Sequence, residues 1–359
     1  MPGQIDEQAP HDAQDTITES TARLSDTVVD ELIVACDATS DTAQSEQDFD
    51  QLGNVMLQQA AELSGALSQR TDADALLTAA ILASDEQTKL DLLLQAIETG
   101  TQEPIVLWHA MTRCLRSNDA RCSTAALEER LLAVDGQNSE SWMHIAAGRF
   151  SRGQTDDALH AVRQAAAAPE SHDFFVDTVR LVLNALSASD IRAQHHMSAA
   201  IGFAAAGVPS YLPITQMCRD QGQLQDEWAY ACAAYAQTSA KQNKTQLSVM
   251  ISLAIAQSAY ETLGDLRLAE RTEAQRFDTR TRFRNTMPLS FGTPQRGFTS
   301  NATIDLDGAL YSSQTLSAAF LDAIEQHGEL HAREQFYERV AHHVDRDNRL
   351  RCHRWTAAK

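Results

Sequence analysis

Residues 142–170 read WMHIAAGRFSRGQTDDALHAVRQAAAAPE, and the fold is decided in this stretch. After the lead residue Trp142 come Ile145 and Ala146, then Gly153, Ala158, Ala165 and Pro169. The apolar positions before and after Gly153 recur at helical spacing, so two short helices meet at a glycine. Antiparallel helices cross closely only where small side chains sit at the crossing. The chain reverses between them where glycine tolerates a positive φ. The stretch therefore predicts one helical hairpin, with Ala158 buried at its crossing and Pro169 closing it.

The same spacing repeats along the chain. Trp108 lies 34 positions before Trp142, and one further period back Asp74 and Ala75 open another helical run. Forward steps reach Val176, then Tyr211 with Gly222 eleven residues on, then Leu253 with Tyr260, Gly264 and Ala269. The offset from Tyr211 to Leu253 is 42, which calls for a longer second helix or an insertion near AKQNKT. A period of 34 with a large lead residue, a turn glycine, a packing alanine and a closing proline resembles the tetratricopeptide repeat. The resemblance covers residues 73–277. It departs from the family pattern at Arg149, where an aromatic is favoured, and at Thr124 and Glu227, where alanine is favoured.

Composition agrees with helix. The 359 residues contain only 15 glycines and 8 prolines, too few for a turn-rich β-sandwich, and no run of about 18 apolar residues occurs. The expected fold class is all-α: a superhelix of five or six stacked antiparallel hairpins, with a disordered acidic N-terminal tail and a mixed C-terminal region. Residues 1–20 read as that tail, because they hold almost no large apolar side chain. Residues 21–72 read as N-terminal helices, the first around Leu24, Val28, Leu32 and Ile33, the next with an apolar stripe of Leu52, Val55, Met56, Leu63 and Leu67. Thr71 with Asp74, and Ser84 with Gln87, have the spacing of helix N-caps. Residues 278–359 read as an irregular crossing after Phe277, then a helical pattern from Leu316 to Val344 that Gly328 interrupts.

The net charge of -20 is uneven. Residues 1–50 hold 13 acidic side chains against Arg23, whereas residues 278–359 hold 10 acidic and 11 basic ones. An acidic body repels a phosphate backbone, so a nucleic-acid partner is not expected. Neither is a membrane, and the acidic N-terminus reads as cytoplasmic. The six cysteines show no Cys-x-x-Cys, and in that compartment they read as reduced, although Cys114 and Cys122 could face one another across a turn.

Motifs for chemistry are sparse. No phosphate-cradling loop, dinucleotide fingerprint or hydrolase elbow occurs, so no cofactor and no catalytic residue is expected. His327 and His331 have the i, i+4 spacing of a metal pair, but Gly328 stands where a zinc-protease motif needs glutamate, and they read as exposed histidines. His195 and His196, in the second helix of a repeat, read as satisfied or partly exposed histidines. Asp305-Leu-Asp307-Gly308 falls short of a calcium loop. Asn243-Lys-Thr245 and Asn301-Ala-Thr303 carry the glycosylation triplet, which a cytosolic chain would not use. Arg276, Arg280, Arg282 and Arg284 read first as a helix end complementing its dipole, and second as a patch that holds the acidic N-terminal tail of the same chain or of a neighbour.

What the resemblance implies is a concave groove lined by the first helix of each hairpin, holding an extended peptide or a partner helix. Its groove positions lie one, five and eight residues after the lead. They fall on His109, Arg113 and Arg116; on Met143, Ala147 and Phe150; on Asp177, Leu181 and Asn184; and on Leu212, Gln216 and Arg219. Basic ends around an apolar centre suit an acidic or carboxylate-bearing peptide. The expected function is thus a non-catalytic protein-interaction scaffold. The alternative is an enzyme or metal protein with its chemistry in residues 278–359 and the repeats as a recruiting arm.

Overall fold

The computed structural model describes residues 46–117, 119–189, 193–286, 310, 313–336 and 338. The expected tail, the helix around Leu24 to Ile33, Cys36, Cys352, Asn301, the Asp305–Gly308 stretch and the residues after 338 lie outside them. The described chain is all-α, and among the described residues the one β-feature is an isolated parallel bridge between Asn138 and Glu170. A lone helix, α1 (Glu46–Leu67), comes first. Six hairpins follow: α2 (Ala73–Leu82) with α3 (Glu86–Glu98), α4 (Pro104–Cys114) with α5 (Thr124–Asp135), and α6 (Ser139–Ser151) with α7 (Thr155–Ala167). Then come α8 (Phe175–Leu186) with α9 (Ala193–Gly207), α10 (Leu212–Gly222) with α11 (Asp226–Gln242), and α12 (Gln246–Thr262) with α13 (Leu266–Thr286). The last named helix is α14 (Gln314–His327).

The local rules hold with small shifts. Asp72 and Asp85, one residue after the expected Thr71 and Ser84, cap α2 and α3 by accepting from Ala75 N at 3.0 Å and Thr88 N at 2.8 Å. On α1 the buried face runs through Met56, Ala60, Leu63, Ser64 and Leu67, while Val55 turns outward. Gly153 and Gly264, both at the turn position of their units, take positive φ of 77° and 73°. The long step between Tyr211 and Leu253 is absorbed by α11, whose 17 residues run without a break through the AKQ segment. Helix α13 continues nine residues past Phe277, where an irregular crossing was expected: its alternating arginines are good helix formers.

Four of the expected reduced cysteines are paired. Cys114–Cys122 closes the α4–α5 hairpin and Cys218–Cys232 closes the α10–α11 hairpin. Each pair flanks a helix-to-helix turn, which brings the two residues together; the facing of Cys114 and Cys122 is legible from their spacing, and that of Cys218 and Cys232, 14 positions apart, is not.

Packing does not follow chain order. The hairpins α4/α5 and α6/α7 adjoin, and the unit stacked next on α6/α7 is α10/α11, with α10 on α6 and α11 on α7. Helix α12 then packs on both α10 and α11. The intervening hairpin α8/α9 swings out and packs against α2 and α14. Two cores result. One joins α1, α2, α8, α9 and α14 around Leu76, Val182 and Phe320; the other runs through α4 to α7 and α10 to α13 around Trp108, Met143, Trp228 and Tyr235. Full burial of such large side chains contributes on the order of 1.5–3 kcal/mol each. The C-terminal segment bridges the two. Arg180 of α8 pairs with Asp322 and Glu325 of α14, and beyond Gly328 the Glu329 carboxylate accepts from Gln246 N at the start of α12.

Candidate functional site

The twelve positions singled out for a groove separate, and of the aliphatic ones Ala147 is buried, Leu181 half-buried and Leu212 exposed. His109 and Met143 are core residues, 5% and 0% exposed, so they pack the hairpins and line no open surface. The cause is visible in α4 and α6, which are enclosed on nearly all sides by neighbouring hairpins. Arg113 is half-buried and paired with Glu86; burial and nearby Arg116 both work against its charge. Phe150 packs edge-on to Trp228, 6.1 Å between ring centres. Asp177 is held by His172 at 2.6 Å: burial opposes the imidazolium, yet this carboxylate lifts its pKa above the ordinary value. Arg116, Asn184, Gln216 and Arg219 are exposed, with Arg219 turned to its neighbour Asp220. Asn184 lies on the swung-out α8, away from the stack that carries the others.

Open apolar surface occurs elsewhere, on the second helices. Tyr230 of α11 is 64% exposed and stands between two clefts. One is floored by Ala166 and Ala167 of α7 and Ala231 and Ala234 of α11, with the Arg163–Glu227 ion pair at its edge. Glu227, which replaces the packing alanine of its unit, thus faces outward and joins two hairpins. The other cleft lies between Tyr230, Tyr260 and the turn from Leu263 to Leu268, with Leu266 65% exposed. Sequence reading missed this surface because Tyr230 and Leu266 carry no motif; their exposure depends on which helix lies beside α11.

No family model, curated protein or solved structure matches this chain. The chemistry must therefore be read from its own geometry.

A second feature lies beneath the stack, where α6, the 168–174 connection, α11 and α12 meet. Glu140, in the first turn of α6, is fully buried. Its Oε1 accepts from Tyr235 Oη, Ser239 Oγ and Asn243 Nδ2, each at 3.0 Å, and from Ser171 Oγ at 3.2 Å. Burial raises its pKa above the ordinary carboxylate value, and the charge of Asp173 adds to the rise. Asp173 accepts from the hydroxyls of Thr245 and Ser248. Asn138 pins the connection from the other side, bonding both the amide and the carbonyl of His172 at 2.9 Å. Phe174 then adopts a left-handed φ of 55°, a conformation that costs a non-glycine residue about 1–3 kcal/mol and persists only where contacts over-determine it. These bonds hold the connection immediately before α8. They also occupy Asn243, which is 7% exposed with its amide committed to Glu140, so that glycosylation triplet serves the core.

Above this junction an aromatic row crosses three helices. The Trp108 and His144 ring centres are 5.3 Å apart, and those of His144 and Tyr211 are 5.7 Å apart. Burial pushes His109 down to about 4 and His144 down to about 3, so both rings are neutral and act as packing groups. His327 and His331 sit on either side of Gly328, whose φ of 82° ends α14. Their rings meet edge to face, and His331 contacts Gln335 at 2.9 Å. Among the described residues no group of three histidine, cysteine or acidic side chains is arranged to hold a metal. Among them, too, no single helix is long and apolar enough to cross a membrane.

Proposed function

We propose that this chain is a non-catalytic interaction scaffold built from tetratricopeptide-like hairpins, and that it binds a peptide or helix of another protein. The observation that carries this reading is the pair of clefts sharing the exposed Tyr230. An outward tyrosine flanked by alanine-floored hollows and a rim of Arg163 and Arg267 has the make-up of a binding hot spot. The binding surface is accordingly assigned to α7, α11 and the start of α13, with Arg116, Gln216 and Arg219 on the opposite, first-helix side as the competing face. Two closed disulfides support an oxidising working environment for the scaffold over a reducing one.

The test uses the full chain with a photo-crosslinking amino acid at position 230. The protein captured there is purified and its affinity for the unmodified chain measured. Tyr230→Ala should weaken that affinity by about 30-fold, the effect of losing a hot-spot anchor worth about 2 kcal/mol. Its thermal midpoint should stay close to that of the parent, because the side chain is exposed. An affinity unchanged by Tyr230→Ala but lost on joint Arg113→Glu, Arg116→Glu and Arg219→Glu substitution would move binding to the first-helix side. An affinity unchanged by both sets would end the scaffold reading at these surfaces.

A further inference from the structure

The C-terminal half of α13 has helical form without a core face. Thr272 is its last buried residue; from Glu273 to Arg284 every side chain is exposed or half-exposed. Within this stretch Arg276, Arg280 and Arg284 recur every four residues and so follow one side of the helix. Phe277 stands beside them, 61% exposed, with the Arg280 guanidinium 5.8 Å from its ring centre. Arg282, on another side, is already taken by the Glu334 carboxylate at 2.8 and 2.9 Å. Among the described residues no carboxylate forms an ion pair with Arg276, Arg280 or Arg284, although the chain as a whole has a net charge of -20. The helix dipole accounts for Arg284 in the last turn but not for Arg276 and Arg280, because its influence fades within one turn.

We propose that this basic, aromatic-bearing face is the docking surface for the chain's own acidic N-terminal segment, residues 1–45. That segment has ten acidic side chains against Arg23, and in it Leu24, Val28 and Leu32 alternate with Asp26, Asp30 and Glu31. It can thus supply both carboxylates for the arginines and apolar surface for Phe277. Its tether is long enough. The segment leads into α1, whose Ala60 belongs to the same core as Ala332 and Phe336. Those two residues flank Arg333 and Glu334, which contact Phe283 and Arg282 of α13. Fully extended, 45 residues reach about 150 Å, well beyond the ~31 Å length of α13. Tethering raises the local concentration of the segment into the range where weak ion pairs suffice, an advantage that a free acidic peptide lacks.

The experiment places p-benzoylphenylalanine at position 277 of the full chain and maps its photo-adducts by peptide mass spectrometry. Expected are adducts within residues 1–45 that fall about tenfold in roughly 1 M salt, where the screening length shortens to ~3 Å. They should fall similarly when Arg276→Glu, Arg280→Glu and Arg284→Glu are combined, with the circular dichroism spectrum unchanged. An equal mixture of isotopically light and heavy chains identifies the donor. Adducts within one chain support the proposal, whereas light–heavy adducts would show that a second copy supplies the segment and overturn it as stated. Adducts mapping elsewhere, adducts that survive the charge reversal, or none at all would also overturn it.

Discussion

The hairpins α8/α9 and α10/α11 follow one another in sequence at nearly the same period, yet one leaves the stack and the other takes its place on α6/α7. The helix that swings out and the helix that receives the new unit differ in how many faces are buried. Helix α8 buries one side, Val176, Thr178, Val179, Val182, Leu183 and Leu186, with Thr178 touching His109 of α4, and turns Asp177, Arg180 and Asn184 outward or toward α14. Helix α6, which receives α10/α11, buries every residue from Ser139 to Gly148 except Trp142, because small side chains alternate with large ones around it. The turns differ as well. Two hairpins of the stack close on a positive-φ glycine, Gly153 or Gly264, and two close with a disulfide. The α8/α9 unit has Ser187 at the glycine position. Helix α10 buries only Ile214, Met217, Cys218 and Gly222 and is as one-sided as α8, so what sets the stacked unit apart is its seat on the many-faced α6 and its disulfide-closed turn.

The largest effect expected from this contrast is on the disulfides. Replacing Cys218 and Cys232 together by alanine should destabilise the chain by about 3 kcal/mol in denaturant unfolding, from restored freedom of the unfolded loop. The Cys114–Cys122 pair closes a shorter loop and should contribute less. Equal midpoints for the parent and both variants in non-reducing buffer would show that the turns hold without the covalent link.

Overpacking comes next. Ala158 is fully buried where α7 crosses α6, and Ala158→Leu should cost about 1–3 kcal/mol. Asn184→Leu on the edge helix α8 should change stability by less than about 0.5 kcal/mol, since that side chain is exposed. Similar losses at the two positions would erase the distinction between stacked and capping units.

The smallest effect concerns pH. In the folded chain His109 and His144 resist protonation down to about 4 and about 3, whereas in the unfolded chain they take up protons below about 6.5. The unfolded state then binds more protons, so stability falls as pH drops below about 6.5. Glu140 acts in the opposite sense. Its raised folded-state pKa makes its contribution greatest at low pH and lost as pH rises through that value. His144→Phe should flatten the acid side of the stability profile by at most about 1.4 kcal/mol per pH unit, and Glu140→Gln should remove the loss on the upper side. Unfolding free energies measured between pH 4 and pH 8 check both slopes; an unchanged profile in His144→Phe would mean that this ring takes up its proton at the same pH in the folded chain as in the unfolded one.

The sequence by itself determined the helical hairpins. A period of 34, alanines at crossings and glycines at turns are local properties, because an amphipathic stripe and a positive-φ requirement are set by neighbours within one or two turns. Hence Ala158 is buried, Gly153 and Gly264 reverse the chain, and Gly328 ends a helix as their spacing implied. The order of stacking, the pairing of Cys218 with Cys232 and the exposure of Tyr230 were decided only by the tertiary structure. Each depends on which hairpin lies against which, and that choice is made at the 168–174 connection. There Glu140, which reads as an ordinary first-turn acid, collects four donors from the connection and from α11, with residues separated from it by up to 103 positions. Side chains so distant in sequence share no periodicity, so no pattern along the chain could announce that they meet.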